Sequence, residues 1–277
     1  MRQYNGPFLQ QSETLYLTAK DVLNLVHRRV MDRSRYFGVP ARRNPLDAWV
    51  YQEMICELRP DVIIEIGSYR GAGTLQFAHL LDVLGHGIVI GIDKNQTLTA
   101  DVVRAHPRVT LLEGDACRLI DTVIRLIPLR SRCLIVEDSS HTYENTLNVL
   151  RTFSPLVSHG SYFVVEDGVG GGHGLSLGPR PGVYEAIDTF LMEDGSFVPD
   201  RSRESFFLTW NPSGYLKRVS GGRSYYKPPR VQRRFPSAGD VVRAVTPPVL
   251  LQAAVRFRRR MKTRVRRHRR GEEGRGE

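Results

Sequence analysis

The sequence is short of several things, and each shortage excludes a class of protein. No uninterrupted apolar run approaches the roughly 20 residues that a bilayer-spanning helix needs, and the first ten residues lack the apolar core of a secretory signal. A cytoplasmic protein is the expectation. Three cysteines, Cys56, Cys117 and Cys133, make an odd number with no CxxC pair, which argues against a disulfide framework and against a cysteine-bound zinc. No internal repeat is present. Apolar side chains are not scarce: 41% of the 277 residues are hydrophobic and 25% charged, enough core for one large domain or two small ones and too apolar for disorder.

Positive charge is plentiful, but not in the body of the chain. The formal charge of +11 and the pI of 9.9 divide unevenly. Residues 1–216 hold 21 Lys and Arg against 25 Asp and Glu, a net of −4, and residues 217–277 hold 19 against 4, a net of +15. The pI therefore describes the tail, and it does not make the protein a nucleic-acid binder. The acidic body offers nucleic acid no complementary surface, and no aromatic platform accompanies the arginines.

Short, nearly all-apolar runs recur at 62–66, 88–92, 109–112, 133–136 and 162–165, as buried parallel strands do. Segments with helical spacing lie between them, at 72–84, 97–105, 116–126 and 142–153. The alternation predicts a doubly wound α/β domain with a mostly parallel, seven-stranded sheet. Asn44-Pro45 predicts a helix start running to Leu58, with Pro60 beyond its end. Further on, 183–192 reads as a helix, and 205–210 with 215–219 reads as a hairpin closing the sheet. From Ser220 the chain turns to Gly, Pro and Arg.

The first predicted strand ends in Glu65-Ile-Gly67-Ser68-Tyr-Arg-Gly71-Ala-Gly73-Thr74, a glycine-rich turn into a helix. Glycines there let a ligand approach the backbone, and a helix start offers free N–H groups. Three residues separate Gly67 from Gly71, so the spacing is not the dinucleotide fingerprint GxGxxG. A carboxylate at Glu65 suits a cofactor with an amino-acid ammonium group, such as S-adenosylmethionine (SAM). Asp93, at the end of the second strand, suits a ribose diol, and Glu113-Gly-Asp115-Ala116 follows the third strand within reach of an adenine.

The next two strands end in Glu137-Asp138-Ser-Ser-His141 and Glu166-Asp167-Gly168. Ligands of open α/β sheets bind beyond the carboxyl ends of the strands, so these acids and the cofactor loops should share one face. Asp138, Glu166 and Asp167 would then meet, and three hard carboxylates favour Mg²⁺ or a similar divalent cation. The lack of basic residues nearby in the sequence counts against simple ion pairing. His141, three residues after Asp138, is the candidate general base. His173, within the glycine-rich stretch 168–182, is the weaker candidate, as part of a mobile lid.

The runs Asn44-Pro-Leu-Asp-Ala-Trp-Val-Tyr-Gln-Glu53, Asp138-Ser-Ser-His141, Gly160-Ser-Tyr-Phe-Val-Val-Glu-Asp167, Asp200-Arg-Ser-Arg-Glu204 and Asn211-Pro-Ser-Gly-Tyr-Leu-Lys-Arg218, with the Glu65 loop, together resemble the cephalosporin hydroxylase family. That family also includes rhamnosyl O-methyltransferases, and the resemblance spans about residues 40–219. It implies a class I SAM-dependent methyltransferase fold. It also implies a divalent metal at Asp138, Glu166 and Asp167, and cofactor contacts at Glu65, Gly67, Ser68, Asp93 and Asp115. The expected division is a helical extension over 1–43, the SAM-dependent domain over 44–220, a linker over 221–248 and a basic tail over 249–277.

The expected reaction is methyl transfer from SAM to a hydroxyl of a sugar, a glycosylated natural product or a glycolipid, with Asp138 and His141 at the chemistry. Two alternatives stand beside it: a hydroxylase-associated component, and a non-catalytic SAM-binding module recruited through the tail. In that tail Leu250, Ala254, Phe257, Met261 and Val265 would form one stripe of a helix whose other faces are arginine-rich. Such a helix suits the anionic inner face of a membrane, and the competing reading is a disordered polycation. Association into a homo-oligomer is also compatible with the sequence.

Overall fold

In the computed structural model, which describes residues 19–170, 181–206 and 208–219, every predicted parallel strand forms where its apolar run lies. They are β1 (Val62–Ile66), β2 (Ile88–Asp93), β3 (Val109–Glu113), β4 (Cys133–Glu137) and β5 (Tyr162–Val165). β6 (Phe197–Pro199) and β7 (Tyr215–Arg218) complete a seven-stranded sheet in the order β3-β2-β1-β4-β5-β7-β6. The first five strands pair in parallel, and β7 is antiparallel to both of its neighbours. The central strands read as unbroken apolar runs because both faces are covered: all five residues of β1 and of β4 are buried.

The helices are α1 (Ala19–Arg29), α2 (Pro45–Leu58), α3 (Ala72–Leu84), α4 (Asp101–Arg104), α5 (Ile120–Leu126), α6 (Tyr143–Phe153) and α7 (Val183–Glu193). Asn44 caps α2 by accepting the Leu46 N–H at 3.2 Å, Pro45 occupies the first turn, and Arg59 closes it in the left-handed region before Pro60. On one face of the sheet α2 and α3 pack against Ile63, Val89, Leu134, Val136, Tyr162 and Val164. On the other, α6 and α7 pack against Ile64, Ile66, Ile90, Ile135, Phe163 and Val165.

Three predicted elements differ. The helix expected over 97–105 forms only at Asp101–Arg104, because Gln96 holds the preceding turn by donating to Ser68 Oγ (3.3 Å) and to the Leu112 carbonyl (3.0 Å). The segment 116–126 divides into a 3₁₀ turn, Ala116–Leu119, and α5. The closing hairpin is not 205–210 with 215–219, since the partner of β7 is β6. The described part of the N-terminal extension holds α1 and also a two-stranded hairpin, Arg35–Tyr36 with Val39–Pro40. The linker and tail calls, and His173, lie outside the described residues.

The stretch that was expected to be a strand instead wraps a buried acid. Asp47 in α2 is 1% exposed and accepts from Asn44 Nδ2 (2.8 Å), Thr209 Oγ1 (2.6 Å), the Trp210 N–H (2.9 Å) and the Tyr215 hydroxyl (3.1 Å). Burial pushes its carboxyl up, and these donors oppose that shift. Replacing Asp47 with Ala leaves several buried donors without an acceptor, and denaturant unfolding should show a loss of ~3 kcal/mol. A loss under ~1 kcal/mol, the level of an ordinary surface change, would contradict this account.

Candidate active site

The carboxyl ends of β1 to β5 open into a cavity of about 510 Å³, within the range of small-molecule sites. The loop after β1 is drawn tight against β2: the Gly67 and Ser68 N–H groups donate to the Ile92 carbonyl at 2.8 and 3.2 Å. Gly67 has φ +93, and a Cβ there would lie 2.1 Å from the Asp138 carbonyl oxygen, so this crossing admits no side chain. Asp93 fixes the next residue, since its Oδ2 accepts the Tyr69 N–H at 2.7 Å while Oδ1 accepts Asn95 N–H at 3.1 Å. Asp115 caps the following 3₁₀ turn through the Arg118 N–H at 3.3 Å.

Of the predicted cofactor residues, Glu65, Gly67, Ser68, Gly73, Asp93, Asp115 and Ala116 line this cavity. Thr74 and Gly71 are not on its wall: Thr74 is buried beneath the loop and donates its hydroxyl to Glu65 Oε2, and Gly71 caps α3 with φ +83. Glu65 is therefore engaged from within the protein at both oxygens, Oε1 accepting from Arg43 at 3.1 Å.

Alternation along the strands decides which acids meet. In β1, Glu65 follows the register of Ile63 toward α2 and α3, and in β5 the register of Tyr162 and Val164 carries Glu166 to the same face. Glu137 follows Cys133 and Ile135 to the opposite face. There it accepts from Ser139 Oγ (2.6 Å) and Asn145 Nδ2 (3.3 Å) of α6, and burial pushes its carboxyl up to about 8.

Asp138, His141 and Asp167 come together: His141 Nε2 is 3.1 Å from Asp167 Oδ2 and 4.0 Å from Asp138 Oδ1, and one donor atom of each lies within 4.8 Å of the others. His141 and Asp167 both have left-handed backbones, φ 54 and 59, which non-glycine residues hold only where the surroundings impose it. The Asp167 N–H donates to Asn211 Oδ1 at 3.2 Å, and the Asn211 amide is 3.4 Å from the Tyr215 hydroxyl, so the chain of contacts reaches Asp47. Glu166 is set apart from this trio. Its Oε1 accepts from the Tyr51 hydroxyl at 2.7 Å and faces Arg43 at 2.9 Å, and it is not part of the cavity wall.

Arg43 is the residue the sequence reading missed, and it corrects the expectation that these acids lack a basic partner. Its Nη2 lies within 3.1 Å of Glu65, 3.1 Å of Asp138 and 2.9 Å of Glu166, at sequence separations too long for any local motif to register. Burial alone would push its guanidinium down, but the three carboxylates hold it charged. Burial raises Glu65, Asp138 and Glu166, with Arg43 opposing in each case. Three carboxylates share one guanidinium, and Asp167 stands beside Asp138 and His141, a deficit of positive charge that a divalent cation fits. The open carboxylate oxygens of Asp138 and Asp167 suit a hard divalent cation such as Mg²⁺ or Mn²⁺.

Comparison with known proteins shows the family and the fold. Residues 28–219 match the family described as rhamnosyl O-methyltransferase/CmcI. Rhamnosyl O-methyltransferases of Mycobacterium bovis (strain BCG / Pasteur 1173P2) and Mycobacterium tuberculosis (strain ATCC 25618 / H37Rv) are each 30% identical over 195 residues, covering 68% of this chain and 80% of theirs. That of Mycobacterium leprae (strain TN) is 29% identical, covering 68% and 85%. Among solved structures, a CmcI structure with Mg and SAM aligns at a TM-score of 0.57 and 23% identity, covering 79% of this chain and 87% of that one. A CmcI apo-structure aligns at 0.56, with 23% identity and the same coverage. The sheet order and this likeness make the fold that of a class I SAM-dependent methyltransferase.

Proposed function

Since the chain belongs to the rhamnosyl O-methyltransferase/CmcI family and is a SAM-dependent methyltransferase, we propose that it methylates a hydroxyl of a sugar-containing acceptor, a glycosylated natural product or a glycolipid, with the help of a divalent cation. The observation that carries this reading is the meeting, in one cavity, of the Gly67–Asp93–Asp115 wall with the Asp138, His141 and Asp167 trio.

SAM supplies the methyl group: an O–C bond forms as the S–C bond breaks, and no covalent enzyme intermediate is needed. A divalent cation, when bound, supplies positive charge that eases ionisation of the acceptor hydroxyl. Asp138 and Asp167 would hold it, with Glu166 behind them and His141 beside them. His141 takes the acceptor proton: with its Nε2–H donated to Asp167, Nδ1 is the basic nitrogen, and Asp167 stabilises the imidazolium that results. Asp93 accepts from the ribose hydroxyls, and the backbone of Gly67 and Ser68 passes close to the amino-acid end. A diol suits such a site because vicinal oxygens present two ligands at once, which also accounts for choosing a sugar.

Intact-mass measurement of rhamnosides incubated with SAM and Mg²⁺ should show the gain of one methylene, lost with EDTA and regained with excess Mg²⁺. Asp167→Ala should cut turnover by about 100-fold or more while SAM affinity stays nearly constant. Asp93→Ala should weaken SAM binding in calorimetry by ~1–3 kcal/mol. Undiminished methyl transfer in EDTA would refute the metal assignment, and unchanged SAM affinity in folded Asp93→Ala would refute the cofactor assignment.

No described helix is long and apolar enough to cross a membrane. The arginine-rich segment 249–270 supports a second proposal, that the chain touches anionic membrane surfaces peripherally. Full-length protein should sediment with anionic but not neutral vesicles at low salt, and a chain ending at Ser220 should not; failure of the full-length protein to bind would remove this proposal.

A further inference from the structure

Arg43 is over-subscribed on one nitrogen and idle on the other. Three carboxylate oxygens crowd Nη2, from Glu65, Asp138 and Glu166, yet an NH₂ group carries two hydrogens. Nη1 of the same guanidinium is buried with no hydrogen-bond partner. The side chain is 7% exposed, and its guanidinium carbon lies 5.3 Å from the Tyr51 ring centre and 5.4 Å from that of Phe77. A Cβ at Gly73 would stand 2.5 Å from Nη1, so the first turn of α3 closes over the group. The guanidinium therefore cannot swing to share its donors more evenly: it is a fixed positive charge whose position is set by rings and backbone.

That charge sits beside the place proposed for the divalent cation. Asp138 offers Oδ2 to Arg43 while its Oδ1 faces His141, and Glu166 gives Oε1 to Arg43 and Tyr51. An ion wrapped by several unopposed carboxylates is bound tightly, but its charge is spent on the protein. A carboxylate already shared with a guanidinium pulls on the ion less. We propose that Arg43 is a positioning residue that serves as the built-in counter-ion of the cation site: it gathers the carboxylates of three strand ends and weakens their hold on the divalent ion, which leaves that ion's charge directed at the acceptor oxygen. This inference rests on the divalent-cation reading above and adds to it a direction of effect.

The direction separates it from a merely structural role. If Arg43 only props up its neighbours, replacing it loosens the ligands and weakens metal binding; if it is a counter-ion, removing its charge tightens binding. Mg²⁺ titration by calorimetry without SAM should show Arg43→Gln binding about tenfold or more tightly than the unaltered chain. Arg43→Lys, which keeps the charge, should stay within about threefold of it. Arg43→Gln should also melt at a lower temperature without metal and gain more from Mg²⁺ than the unaltered chain gains.

Should Arg43→Gln fail to fold, the unaltered protein and Arg43→Lys still decide. In ¹⁵N-arginine spectra, a guanidinium signal protected from solvent exchange should shift during Mg²⁺ titration with the calorimetric midpoint, and be missing from Arg43→Lys. Equal or weaker Mg²⁺ binding in folded Arg43→Gln, or a protected signal indifferent to Mg²⁺, overturns the inference alone. An unaltered protein that binds no Mg²⁺ overturns the divalent-cation reading and this inference with it.

Discussion

A parallel sheet that carries Glu65, Asp138 and Glu166 to one edge brings three carboxylates together, and the buried guanidinium of Arg43 is the positive charge that faces all three. Burying carboxylates without a counter-charge costs several kcal/mol each, and Arg43 offsets part of that cost for the three it faces. Arg43 arrives from outside the sheet, on the segment between the N-terminal hairpin and α2. The position of that segment is thus tied to the site electrostatically: moving Arg43 would strand Glu65 beside the glycine-rich loop and Asp138 and Glu166 at the acid cluster in the same step.

A second set of polar contacts fixes the opposite side of the site. Asp47 binds α2 to residues 209–215, Tyr215 bridges from Asp47 to Asn211, and Asn211 holds the backbone of Asp167 in its left-handed conformation. The family-like stretches around Asn44 and Asn211 thereby acquire physical roles without either one touching a reacting atom. They set the height and direction of the acids, and α2 carries both networks, with Arg43 just before its cap and Asp47 in its first turn.

The sheet was legible in the sequence because strands buried on both faces leave unbroken apolar runs, and β1 to β5 lie where those runs do. The closing strands were less so. β6 has three residues and ends in proline, too short for an alternating pattern, whereas the more apolar stretch around Leu208 and Trp210 is held by the Asp47 carboxylate rather than by a strand. That Asp138 and Asp167 share one edge was legible because both follow strand ends, and His141 because it lies three residues past Asp138. Glu166 was found as well, but its pairing with Tyr51 and Arg43 could not be, since those partners stand 115 and 123 positions away and no local spacing reports such a contact. Nor does the sequence show that Thr74 lies off the cavity wall and donates to Glu65 from below. A surplus of carboxylates at converging strand ends was itself the sign that a cation from elsewhere in the chain had to join them.

In the proposed arrangement one divalent cation and SAM share the cavity, the cation resting on Asp138 and Asp167. Anomalous diffraction from crystals grown with S-adenosylhomocysteine and Mn²⁺ tests it most directly. A single strong anomalous peak is expected between the Asp138 and Asp167 carboxylates, with Arg43 still against Glu65 and Glu166 and the nucleoside against Asp93. Mn²⁺ held by a different set of residues, or no peak at this site with the nucleoside bound, would contradict it.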